Sequence, residues 1–229
     1  MNRSVFWALV RKDLYLQRGL IVGMLTGGLL GLALFVAGSV YKAVGGAGVA
    51  VGGILFMTAN VAGGIFLAMF TLLADRKELT RLFALSLPIS GSRYAQSKLV
   101  GGYVAFLIPW VVLTVLAAVV FLPSPAPMRG MLVYALLIQF FVLALFSVVV
   151  GALFVVSSEL ASGLLILAVN ILFSLFMVAI NQPATIAPFR GPVIHWTPFA
   201  VWMFGGELLV TVLAIFFALS LAARRRDHL

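Results

Sequence analysis

Few side chains in this sequence can do covalent chemistry. The chain has 229 residues, no cysteine, and two histidines, His195 and His228. Thiol catalysis, disulfides, zinc knuckles and iron–sulfur clusters therefore fall away together. No His-Glu-x-x-His run occurs, and the histidines make no pair that could hold haem or a metal inside a membrane. The phosphate-cradling pattern Gly-x-x-x-x-Gly-Lys-[Ser/Thr] is missing as well, so the sequence carries no ATPase motif of its own. Ser157 and Ser174 stand alone and read as helix-packing polarity. The remaining polar groups of interest are the amides Asn60, Gln139 and Asn170, the carboxylate Glu207, and two charged segments, 2–18 and 74–98. None of these makes a catalytic constellation, and the expectation is a non-enzyme with no bound cofactor and no metal.

The elements that hold these residues follow from apolar length. Hydrophobic residues make up 64% of the chain and charged ones 9%, with a mean hydropathy of +1.22. Soluble domains run near 45–50% apolar and about 25% charged, and disordered chains are less hydrophobic still. Both classes are excluded. Residues 19–41, 43–74, 99–128, 130–158 and 160–189 contain no charged side chain, and a further stretch from Gly205 to Ala223 is interrupted only by Glu207. A helix needs roughly 20 apolar residues to cross the hydrocarbon core. The runs lack the alternation of membrane β-strands. The expected fold is therefore all-α and integral to the membrane, one transmembrane domain over 1–229. Its six spans lie at about 19–41, 49–73, 99–122, 130–156, 160–181 and 205–223. The Gly45-Gly46-Ala47-Gly48 and Pro123-Ser124-Pro125-Ala126-Pro127 stretches read as connectors.

Charge sets the orientation. With both termini cytoplasmic, Arg3, Arg11, Lys12, Arg18, Arg76, Lys77, Arg81, Arg93, Lys98, Arg224, Arg225 and Arg226 lie inside, and only Lys42, Arg129 and Arg190 outside. That is the bias of the positive-inside rule. The formal charge of +9 is thus a matter of topology and contact with membrane lipid, and no nucleic-acid partner is expected. The first apolar stretch is too long for a signal-peptide core and is expected to remain uncleaved.

The two charged segments would then hang in the cytoplasm. Residues 2–18 place Val5, Phe6, Leu9, Val10 and Leu16 among Arg11, Lys12, Asp13, Gln17 and Arg18. That pattern predicts an amphipathic interfacial helix with its cations toward anionic headgroups. In 74–98, Asp75 to about Ser86 reads as a short helix, charged at its start and apolar at Leu79, Leu82, Phe83 and Leu85. Pro88 disfavours helix at Leu87, after which Ser90 or Ser92 can cap a new helix running through Arg93, Tyr94 and Lys98 into the third span.

These residues resemble the membrane subunits of type-2 ABC exporters. The resemblance rests on Arg11-Lys12-Asp13-Leu14 in a basic N-terminal helix, on the cluster Asp75-Arg76-Lys77-Glu78, and on the corner Leu85-Ser86-Leu87-Pro88-Ile89-Ser90 followed by Arg93, Tyr94 and Lys98. At Leu79-Thr80 the family more often has Gly-Thr. The layout of six spans, a long loop between spans two and three, and a proline-rich segment before span six agrees over the whole chain.

The resemblance implies that the 74–98 loop is a cytoplasmic coupling helix that docks on a separate ATP-binding cassette subunit. Asp75, Arg76, Glu78, Arg81, Leu82, Phe83, Leu87, Pro88, Ser90 and Arg93 would make that coupling. ATP and Mg would bind the partner, and a second copy or a homologue would complete the permease. Spans two and five would line the path, with Met57, Asn60, Gly64, Asn170, Phe173 and Met177 facing hydrophobic or amphipathic cargo such as a peptide, an antibiotic or a lipid; the alternative for Asn60 and Asn170 is hydrogen bonding across packed helices. The alternative is a stand-alone six-span pore or scaffold that uses no ATP. By the same resemblance the cell is bacterial and the membrane its inner one.

Two further features complete the reading. Gly19, Gly23, Gly27 and Gly31 recur every four residues in the first span, a stripe suited to close helix packing. Pro183, Pro188, Pro192 and Pro198 break the segment 182–204, which also holds Trp196 and Trp202. Short helical pieces dipping into the outer leaflet are expected there, with the tryptophans at the interface; the resemblance implies a re-entrant segment before span six that closes the outer mouth, with Trp196, Trp202 and Glu207 as an outer gate, and the alternative is an interfacial aromatic anchor. Glu207, after Gly205-Gly206, reads either as an interfacial carboxylate at a helix N-terminus or as a transport group.

Overall fold

The computed structural model describes residues 3–41, 45–73, 90–124, 129–156 and 158–224. Among these the regular structure is helical, with no strand: α1 (Arg3–Val40), α2 (Gly45–Leu73), α3 (Gly91–Phe121), α4 (Met131–Val155), α5 (Glu159–Ile180), α6 (Pro183–Ile186) and α7 (Pro198–Arg224), with a 3₁₀ turn at Ala187–Arg190 before α7. Six of these helices are long and apolar enough to cross a membrane. Large apolar side chains such as Val22, Ile54, Leu164, Leu175 and Phe216 are exposed on them, as a lipid solvent permits and water does not.

The helices extend beyond the apolar windows. α2 begins at Gly45, α3 at Gly91 and α7 at Pro198, each several residues before the expected span. Hydrophobic length marks what lipid covers, whereas backbone hydrogen bonding continues into glycine and polar residues. The glycines at 45–48, expected as a connector, are the first turn of α2, and Gly45 opens it in the left-handed region with φ +47°. Residues 3–18, expected as a separate surface helix, are not an element of their own. α1 runs unbroken for 38 residues, about 57 Å at 1.5 Å per residue, nearly twice the thickness of a hydrocarbon core.

The chain divides into two compact units. The first comprises residues 1–113 and 216–229. In it α1 and α2 meet backbone to backbone: a Cβ on Gly31 would lie 2.5 Å from the Phe56 nitrogen, and one on Gly52 would strike the Phe35 backbone. The expected glycine stripe is thus half right, because Gly27 and Gly31 face α2 while nothing lies within 4 Å of a Cβ on Gly19 or Gly23.

The second unit comprises residues 114–215. Its most enclosed helix is α4, with Val133, Leu137, Gln139, Val142, Phe146 and Leu153 buried. Phe141 of α4 stacks on Phe176 of α5 at 3.7 Å between ring centroids. At the turn before α5, the Ser158 hydroxyl accepts from the Ala161 amide at 3.1 Å and caps the helix.

Candidate coupling and pathway sites

Asp13, Gln17 and Leu9 follow one another at intervals of four, so α1 presents all three on one face. All three are buried. Asp13 pairs with Lys98 of α3 at 2.9 Å, and both side chains are nearly closed to solvent. The Gln17 amide donates to the Thr71 hydroxyl of α2 at 2.7 Å, and that hydroxyl donates in turn to the Leu67 carbonyl at 2.6 Å. Gly101 and Gly102 give α3 room for this approach: a Cβ there would lie 3.3 Å from Asp13 and 3.1 Å from Thr71. Three helices therefore meet around polar atoms, and Thr71 and Lys98 stand on the two helices that flank residues 74–89.

This arrangement corrects the reading that sent Asp13 and Gln17 outward with Arg11, Lys12 and Arg18. A carboxylate and an amide are costly to bury alone, but here each has a partner from another helix. Arg11, Lys12 and Arg18 remain exposed. The pairing joins residues 85 positions apart, and a single sequence gives no sign of which lysine Asp13 would find.

Among the coupling residues, Asp75, Arg76, Glu78, Arg81, Leu82, Phe83, Leu87 and Pro88 lie outside the described residues. Ser90 and Arg93 are described. Ser90 stands directly before α3, as expected of a cap, and its carbonyl accepts from the Arg93 and Tyr94 amides, both at 3.0 Å. Its hydroxyl meets that of Ser92 at 3.1 Å. Arg93 is half-buried.

The pathway candidates fall in both units. In the first, Asn60 is buried, its amide nitrogen donating to the Phe56 carbonyl at 2.8 Å while its oxygen has no hydrogen-bond partner. Gly64 is buried beside it in sequence and Met57 half-buried. In the second unit, Asn170 is exposed and donates to the Ile166 carbonyl at 2.9 Å, with Phe173 and Met177 half-buried on the following turns.

The proline-rich segment forms the short pieces expected of it, α6 and the 3₁₀ turn. Phe189 and Ile186 are buried, and the Phe189 and Gly191 carbonyls would each lie 2.5 Å from a Cβ on Gly130, just before α4. The Tyr134 hydroxyl donates to Asn181 at 3.1 Å. Trp196 meets Phe204 edge-on at 5.5 Å, and Phe204 meets Phe140 of α4 at 4.6 Å. Trp202 lies within α7 and is the most exposed of the large apolar side chains, at 81%.

Glu207 is not at a helix N-terminus. α7 starts nine residues earlier, so the carboxylate sits about 13 Å along the helix. It is buried, as are Ala200 and Thr211 on the same face of the helix, and neither carboxylate oxygen has a hydrogen-bond partner. Thr211 donates to the Glu207 backbone carbonyl at 2.7 Å. No group of three or more potential metal ligands gathers among the described residues.

A chain whose described residues form helices without strands, six of them of membrane length, with large apolar side chains exposed and a few polar ones buried, is a multi-pass membrane protein. The more particular assignment comes from comparison. The family model described as ABC-2 family transporter protein matches residues 8–223, so the chain belongs to that family and is a membrane permease of ABC transport. No curated protein and no solved structure matches it.

Proposed function

We propose that the chain is the permease subunit of an ABC exporter in a bacterial inner membrane. It pairs with a second copy or a homologue to enclose a path for hydrophobic or amphipathic cargo, and a separate ATP-binding cassette subunit drives it with ATP and Mg. The observation that carries this reading is the family match over residues 8–223 in a sequence without a phosphate loop of its own. Such a chain takes its energy from elsewhere.

The Asp13–Lys98 and Gln17–Thr71 contacts support a transmission route. They tie α1 to α2 and α3 at the roots of the 74–98 segment, where Asp75, Arg76, Glu78, Arg81, Leu82, Phe83, Leu87, Pro88, Ser90 and Arg93 are proposed to contact the ATPase. Met57, Asn60, Gly64, Asn170, Phe173 and Met177 are the proposed path residues, and Trp196, Trp202 and Glu207 the proposed outer gate.

The test is co-purification of the permease with the ATPase, followed by ATP turnover in lipid with and without candidate cargo. Replacing Leu82 and Phe83 by Asp is expected to cut bound ATPase at least tenfold, since charging buried apolar anchors costs an interface about 2 kcal/mol or more. Insertion should be unaffected, because no apolar run of 20 residues is touched. Wild-type ATPase binding and turnover in that variant would remove the loop from the mechanism.

A further inference from the structure

The face of α1 opposite Asp13 carries Arg11, Tyr15 and Arg18, all exposed. The Arg18 guanidinium lies over the Tyr15 ring, 4.1 Å from its centroid, a cation–π arrangement that holds the cation in place. Arg11, Tyr15 and Arg18 are spaced by four and three, so they form one stripe along the helix. The acidic residue nearest in sequence, Asp13, is turned inward to Lys98; the next acid along the chain is Asp75. The exposed face therefore presents cations and an aromatic ring without a competing carboxylate of its own helix.

Position along α1 gives the stripe its partner. The charge-free stretch starts at Gly19, so Arg18 and Tyr15 lie within about 6 Å of it along the axis, inside a headgroup layer about 5–8 Å deep. Arg11 is about 12 Å away along the axis, a gap that an arginine side chain is long enough to span. The first four turns of α1 cannot roll, because Leu9, Asp13 and Gln17 are packed inward. We propose that Arg11, Tyr15 and Arg18 form a binding site for the phosphate of an anionic phospholipid such as phosphatidylglycerol, held at one membrane face by the buried Asp13–Lys98 pair behind it. This proposal is independent of any ATPase partner.

The test uses the full chain purified alone and reads retained lipid by native mass spectrometry from equimolar phosphatidylglycerol and phosphatidylcholine. The wild type is expected to retain phosphatidylglycerol selectively. Arg11→Gln and Arg18→Gln should each weaken that retention roughly fivefold, the worth of one basic residue near an anionic surface. Arg18→Lys should keep most of it, and Tyr15→Phe should be neutral where Tyr15→Ala is not. Because these side chains are exposed, an unchanged thermal midpoint is expected throughout. Undiminished selectivity in the Arg11/Arg18 double variant would overturn the proposal. Displacement of the lipid by millimolar inorganic phosphate would do the same, since it would make the stripe a free-phosphate site. So would a double variant that keeps the lipid but loses a protein partner, which would make the stripe a protein-docking face.

Discussion

At the scale of single residues, the most consequential contact is Asp13 with Lys98 at 2.9 Å. Both partners are ordinary charged residues in sequence, and the reading that placed Asp13 on the polar side of α1 followed from counting it with Arg11 and Lys12. Its partner is a lysine 85 positions away, so no local pattern could reveal the pairing. One clue was present: Leu9, Asp13 and Gln17 share a face, and Leu9 was already assigned to the apolar side. Removing one member of a buried pair leaves the other charge uncompensated, at a cost of about 3–5 kcal/mol. Lys98→Met and Asp13→Asn are therefore each expected to lower the unfolding midpoint of the purified permease markedly. The double variant should recover part of the loss, with a coupling of about 1–3 kcal/mol in the resulting cycle. Strictly additive losses would mean that the two side chains are merely near each other.

At the scale of elements, the existence and helical nature of the spans were legible because the bilayer demands about 20 apolar residues in a row and this sequence supplies six such runs. Their ends were only partly legible. The start of α3 at Gly91 agrees with the helix expected after Ser90, whereas α2 starts at Gly45 and α7 at Pro198, ahead of their apolar windows, because a helix need not stop where its lipid-covered face does. Residues 3–18 do have a buried and an exposed side, but the buried one holds Asp13 and Gln17, which meet α3 and α2, while Leu16 is exposed, and that division lies outside a hydrophobic pattern. The glycine stripe makes the same point in a testable way. Gly31 and Gly52 stand where the α1 and α2 backbones would meet an added Cβ, whereas Gly23 faces open space. Gly31→Val and Gly52→Val are expected to force the helices apart and cost about 1–3 kcal/mol or more. Gly23→Val should stay within about 0.5 kcal/mol of wild type. Unfolding midpoints in one detergent, measured for all three, check the ranking; equal effects would show that α1 and α2 do not rely on that close approach.

At the scale of the whole molecule, the orientation in the membrane decides what the two ends of each helix can do. The coupling segment acts as proposed only if it lies in the cytoplasm, and the proline-rich segment only if it lies on the other side. The sequence argues for that division through its cations, since only Lys42, Arg129 and Arg190 fall on the side opposite to both termini, and basic residues in short loops favour the cytoplasm. Six helices among the described residues are of membrane length, and an even number of crossings would return the chain to the side on which it began. The buried Asp13–Lys98 pair bears on the same question, because it holds the N-terminal part of α1 against the first turns of α3. Reporters fused within 74–89 and after Arg226 are therefore expected to read cytoplasm, and those within 123–129 or 182–192 the exterior. A single cysteine introduced at Ser90 or Ser124 gives the same answer in intact cells, because the native chain has none to compete: only the Ser124 variant should react with a membrane-impermeant maleimide. Labelling at Ser90 instead would invert the orientation, place the 74–98 segment beyond the reach of a cytoplasmic ATPase, and remove the basis for coupling through it.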